Sequence, residues 1–224
     1  IQPTGSQDPY ALRRQALGIG SIILDGGLVL SVREIAARAY EGYGKVPLKV
    51  GREEVLAGLD EFFRQRIRGI LLDRGFAYDT VEAVLSAGSV DVLGAVQRAE
   101  ALEGFRQQPA FEAVITAFNR ANNLSRKFEG SVISPTLFES PAETKLYQAL
   151  GGARLDVGEL LEKRDYSGAL RRVAALREPV DSFFEAVMVM VDDENIRDNR
   201  LALLKSVALL VSPLADLSRV VTAG

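Results

Sequence analysis

Residues 52–75 read REEVLAGLDEFFRQRIRGILLDRG, and the order of apolar side chains in them decides the fold class. Leu59, Phe62, Phe63, Arg66, Ile67, Ile70 and Leu71 recur at the i, i+3, i+4, i+7 spacing that lines one face of an α-helix. Arg66 falls on that stripe, where its methylene stem lies along the apolar face and its head reaches water. Gly75 follows, a residue suited to the left-handed turn past a helix end.

The same period runs outward in both directions. Asp8-Pro9 opens a helix from Tyr10 to about Leu24, closed by Gly26-Gly27. Ser31 with Glu34 forms a capping box for a helix to about Tyr40. Residues 41–51 hold glycines and Pro47 and read as a linker, with the domain boundary at about Lys45. Downstream, shorter helices are predicted over Asp79–Leu85 and Asp91–Phe105. Phe111, Val114, Ile115 and Phe118 begin another stripe that turns polar from Asn119 to Lys127. Residues 129–140 read as a loop. Ser140-Pro141-Ala142-Glu143 opens a helix predicted to stop at Gly151-Gly152, and Asp165 caps the next. Pro179 starts a helix predicted to continue through Val191. A long one follows from about Ile196 to Val211, and Ser212-Pro213 opens a short terminal one. No alternating run supports a strand, so the fold class is all-α, an antiparallel helical bundle with short loops.

Composition narrows the chemistry. The 224 residues contain no Cys, no His and no Trp. That excludes disulfides, thiolate or imidazole nucleophiles and bases, and Cys- or His-based metal sites. A metal would need oxygen ligands alone, which suits Mg²⁺ or Ca²⁺. No apolar stretch has the length of a membrane span, and the N-terminal residues lack a signal core. Together these features favour a cytoplasmic location. The chain opens at Ile1 in mid-pattern, as a piece of a longer protein would.

The net charge of −3 averages unlike regions. Lys163–Arg177 has five basic residues against one acid, and Glu61–Arg74 four arginines against two acids. Asp181–Asp198 has six acids against Arg197. Asp192-Asp193-Glu194 reads as a cap facing a helix N-terminus, or as an oxygen metal site lacking the spacing of an EF-hand loop. Asn119, Arg120, Asn123, Arg126 and Lys127 place amides and cations at one helix end. Amides read base edges and cations bind phosphate or stack on bases. An internal hydrogen bond from Asn123 and plain solvation of the cations fit the same pattern.

Several strings together resemble one family, the β subunit of the bacterial tetrameric glycyl-tRNA synthetase, over its C-terminal third. Residues 3–18, PTGSQDPYALRRQALG, look like the family's PTGSxDPFALRRAALG. Phe62 to Arg66 resembles its FFxxR, and Asp79 to Leu85 its DxIxAVL. Arg120, Asn123 and Lys127 match KRxxNIxxK, with Asn119 standing in place of the first Lys. Tyr166 to Leu170, Pro179 to Val191 (PVDSFFEAVMVMV) and Arg197 to Leu204 (RDNRLALL) continue the likeness. Arg200-Leu201-Ala202-Leu203 is the counterpart of the Ala-Leu-Arg type signature of such domains.

The resemblance implies a noncatalytic, helical anticodon-binding region over 46–224, similar to that of arginyl-tRNA synthetase. Residues 1–45 would be the end of a preceding phosphohydrolase-like helical domain. It implies glycine tRNA, the α subunit and the remainder of the β subunit as partners. Aminoacylation, with ATP and Mg²⁺, would take place in the α subunit, leaving this region without catalytic residues, metal or cofactor. The resemblance implies Arg120, Asn123 and Lys127 as RNA-binding residues, and the pattern of amides and cations adds Arg126 and Asn119, then Arg171, Arg172, Arg197 and Arg200. Arg200 also suits a structural pairing with Asp181 or Glu185. The competing reading is a helical scaffold that docks other parts of the synthetase and reads no base.

Overall fold

The computed structural model describes residues 8, 10–44, 46–88 and 91–222. Among the described residues it contains ten α-helices and no strand. They are α1 (Leu12–Asp25), α2 (Val32–Glu41), α3 (Arg52–Asp73), α4 (Tyr78–Ser86) and α5 (Val92–Arg106). The remainder are α6 (Phe111–Ser125), α7 (Pro141–Glu162), α8 (Tyr166–Ala174), α9 (Arg177–Ala186) and α10 (Glu194–Val211). None of the described helices is long and apolar enough to cross a membrane. The chain folds as two compact units, 1–100 and 101–224.

In the first unit α1, α2 and α4 each pack on α3. The α3 stripe buries Leu56, Phe63, Ile67 and Leu71. Arg66 lies over the Phe62 ring, 4.3 Å from its centroid, and donates to the Phe62 carbonyl at 3.1 Å. Desolvation, and then the charge of Arg13, lower its pKa from the ordinary guanidinium value. Gly75 adopts φ 86, and the amide of Phe76 reaches back to the Leu71 carbonyl at 3.3 Å. Asp8 caps α1 from a distance: its carboxylate accepts from the amides of Leu12 at 2.8 Å and Arg13 at 3.0 Å. Pro9 and Lys45 lie outside the described residues. The linker sought at 41–51 runs inside this unit rather than between units. Arg33 of α2 bridges it by pairing with Glu53 at 2.9 Å and with Asp60, both on α3.

In the second unit α6 packs on α10 and α9, and α7 packs on α8, α9 and α10. The core includes Phe118, Leu146, Phe183, Leu203 and Leu204. Two predicted helix ends move. Gly151 and Gly152 do not stop α7, which continues to Glu162. Leu150, Ala153 and Val157 keep its buried stripe unbroken, and burial outweighs the low propensity of two glycines. A Cβ on Gly152 would stand 3.2 Å from Nη2 of Arg172, so the bare backbone admits the α8 side chain. Conversely, α9 ends at Ala186, and 187–193 forms an irregular loop instead of extending the helix to Val191. Val187 and Val189 point inward at 7% and 6% exposure, while Met188 and Met190 stand out at 75% and 60%. That alternation is the period of extended backbone, which β-branched valines favour. The terminal segment after Pro213 forms a 3-10 turn at Leu217–Arg219 rather than an α-helix.

Candidate nucleic-acid interface

The end of α6 is built by a switch in one helix. Its first turns bury Phe111, Val114, Ile115 and Phe118 against the core. Beyond them Ala121 and Ser125 remain buried, and Ser125 satisfies its hydroxyl on the Ala121 carbonyl at 2.8 Å. The opposite side carries Asn119, Arg120, Asn123, Arg126 and Lys127. At about 100° per residue these five fall within an arc of roughly 120°. Arg120, Asn123, Arg126 and Lys127 are exposed and Asn119 is half-buried. Asn119, Asn123, Arg126 and Lys127 make no side-chain hydrogen bond or ion pair among the described residues. The internal hydrogen bond considered for Asn123 is therefore absent. Arg126 and Lys127 also meet the negative end of the helix dipole, which makes cations favourable there without any ligand.

Arg120 is held differently. Its guanidinium lies 4.0 Å from the centroid of Phe184 on α9, a cation–π stack. Phe184 is in turn edge-on to the buried Phe183, with centroids 5.6 Å apart. The cation is thus fixed in place while keeping its hydrogen-bond donors open. Nothing in the local sequence around Arg120 indicates Phe184, which lies on another helix.

The other four predicted residues divide. Arg171 is exposed and without a partner among the described residues. Arg172 pairs with Asp156 of α7 through Nε. Arg197 pairs with Glu194 at 3.2 Å and donates to the Val191 carbonyl at 3.3 Å. Arg200 is 5% exposed and does not belong to the surface. Its Nε donates to Glu143 at 3.0 Å, its Nη2 to Glu139 at 2.8 Å and its Nη1 to the Met188 carbonyl at 3.1 Å. The partners are not Asp181, which binds Arg177 at 2.9 Å, nor Glu185. The fully buried Glu143 also completes the α7 capping box, accepting from the amides of Glu139 and Ser140 at 2.8 Å each. Beside it Asn199 clamps Ser134, accepting from its amide at 2.7 Å and donating to its carbonyl at 3.1 Å. Arg200 and Asn199 fasten the 129–140 loop and the 187–193 loop to α10.

Asp193 is a cap: its carboxylate accepts from the amides of Asn195 at 2.9 Å and Ile196 at 3.2 Å. No group of three or more acidic side chains among the described residues is placed to share a metal ion.

The second unit is thus a helical bundle with an exposed cationic helix end, on which Arg172, Arg197 and Arg200 are engaged by acids and Arg171 is not. Residues 114–217 match the family described as the DALR anticodon binding domain, and residues 1–86 match the glycyl-tRNA synthetase beta subunit. Over nearly its whole length the chain is similar to glycine–tRNA ligase beta subunits. It is 50% identical over 222 residues to the glycine–tRNA ligase beta subunit of Desulforamulus reducens, covering 99% of this chain and 32% of that protein. It is 49% identical over 219 residues to that of Desulforudis audaxviator, covering 98% of this chain and 32% of that protein. The beta subunit of Clostridioides difficile is 42% identical over 221 residues, 99% of this chain and 32% of its own length. The chain thus spans about a third of the length of the curated relatives it matches.

Proposed function

We propose that this chain binds the anticodon arm of glycine tRNA through the end of α6 and positions it for aminoacylation elsewhere. The observation that carries the reading is the contrast among the basic side chains. Arg172, Arg197 and Arg200 are engaged by acids. Arg126 and Lys127 are not, and Arg120 stacks on an aromatic ring that leaves its donors free. Cations from Arg120, Arg126 and Lys127 neutralise phosphates and set register. Asn119 and Asn123 present amides to splayed bases, and Arg171 extends the surface on α8. Adenylate formation and transfer belong to a separate α subunit using ATP and Mg²⁺. This chain contributes no catalytic residue, and the reaction is cytoplasmic.

The first unit supports a docking role beside this one. Ile22 and Val29, at 66% and 63% exposure, present apolar surface suited to the rest of the ligase. Binding of the chain to glycine tRNA, to the same tRNA with an altered anticodon and to a noncognate tRNA tests the main reading. Tighter binding of the unaltered glycine tRNA is expected. Equal affinity for all three leaves only the docking role.

A further inference from the structure

The two methionines of the chain, Met188 and Met190, are both on the 187–193 loop and both exposed. Exposed thioethers are apolar surface in water, and here the backbone is organised to present them. Val187 and Val189 anchor the loop in the core. The Met188 carbonyl is held by Arg200 at 3.1 Å and the Val191 carbonyl by Arg197 at 3.3 Å. The amide of Val187 closes on the Phe183 carbonyl at 2.9 Å. The buried Arg200 and the half-buried Arg197 thus fix a loop that turns Met188 and Met190 outward. Phe184, beneath the Arg120 guanidinium, is four residues before Met188, a reach of at most about 14 Å along the chain.

We propose that Met188 and Met190 form a nucleobase-contacting surface, adjoining the cationic face of α6, on which unstacked bases of a single-stranded RNA loop rest. The proposal rests on the RNA reading above. Thioether sulfur is polarisable and makes favourable contacts with aromatic faces. Every base offers such a face once it is splayed from its neighbours. Charge divides the labour. The α6 cations suit phosphates, whereas Glu185 and Asp192, exposed and without partners among the described residues, repel them from the methionine loop. The same carboxylates accept hydrogen bonds from exocyclic amino groups of bases, as of cytosine N4. Arg200 acts here as a positioning residue, through the Met188 carbonyl.

The test uses this chain with glycine tRNA and reads two quantities. In the first, dilute peroxide oxidises the methionines to sulfoxides with and without the tRNA, followed by mass spectrometry. Bound tRNA is expected to slow oxidation of both several-fold. In the second, the Met188→Gln, Met190→Gln variant keeps side-chain length and exposure but loses the sulfur. Its affinity is expected to fall about fivefold or more, with the dependence on salt unchanged, because no phosphate contact is lost. Binding of tRNA with unprotected methionines and undiminished affinity of the variant overturns this inference and leaves the α6 reading standing. Absence of any tRNA binding overturns both. Protection that appears only when other ligase chains are added assigns the loop to a protein contact and overturns it as well.

Discussion

Arg200 and Arg120 are the same residue on two helices that pack together, yet the fold uses them in opposite ways. Arg200 meets Glu143 and Glu139, so its three nitrogens are consumed and the side chain is sealed inside. Arg120 meets Phe184, which attracts the cation through its π-face but accepts none of its N–H groups. The difference lies in what faces each guanidinium, an acid or a ring. An acid partner makes arginine a bolt between loops. A ring partner makes it a cation that is placed but still available.

The comparison breaks if the two residues respond alike to removal. Arg200→Ala leaves Glu143 buried without its cation, and loss of one partner of a buried pair costs about 3–5 kcal/mol. The thermal midpoint is expected to fall by roughly 10 °C in a chain of this size, measured by circular dichroism. An unchanged midpoint would remove the bolt from the account. Asn199→Ala is next in size. It strips the amide and carbonyl of Ser134 of their partners, at a cost of about 1–3 kcal/mol by urea unfolding. It also frees the 129–140 loop, so protease should cut there first. Retained protection of that loop would show that the 3-10 turn at Pro135–Leu137 holds it without Asn199.

The sequence shows the helices more clearly than it shows their ends or the allegiance of their arginines. Stripes such as Leu56, Phe63, Ile67 and Leu71 are local and survive folding unchanged. Gly151-Gly152 reads as a stop by local propensity, but packing of Leu150, Ala153 and Val157 carries α7 across it. The V-M-V-M-V run from Val187 already contains the two-residue period of the loop. The helical period of Phe183, Phe184 and Val187 masks it, since both fit the same few residues. Arg200 is the hardest to read. Its acids lie 57 and 61 positions upstream, and only the closed tertiary fold distinguishes them from the nearer Asp181 and Glu185. On α6, by contrast, the amphipathic switch at Asn119 marks the exposed face directly. That Arg126 and Lys127 form no ion pair among the described residues is legible only once the chain has folded.

The smallest structural effect sharpens the comparison most. Arg126→Ala removes an exposed cation with no partner among the described residues, at the end of α6. The core below it is held by Ala121 and Ser125, so the unfolding midpoint should stay where it is. Its loss should appear only against salt. A phosphate contact from this side chain releases about 0.7–0.9 of a counterion, so the slope of log affinity against log salt should become shallower by that amount. The discrimination between anticodons should be unaltered, because a phosphate contact carries no base information. A variant that loses stability and keeps its salt slope would place Arg126 with Arg200, as a cation serving the helix end rather than the RNA.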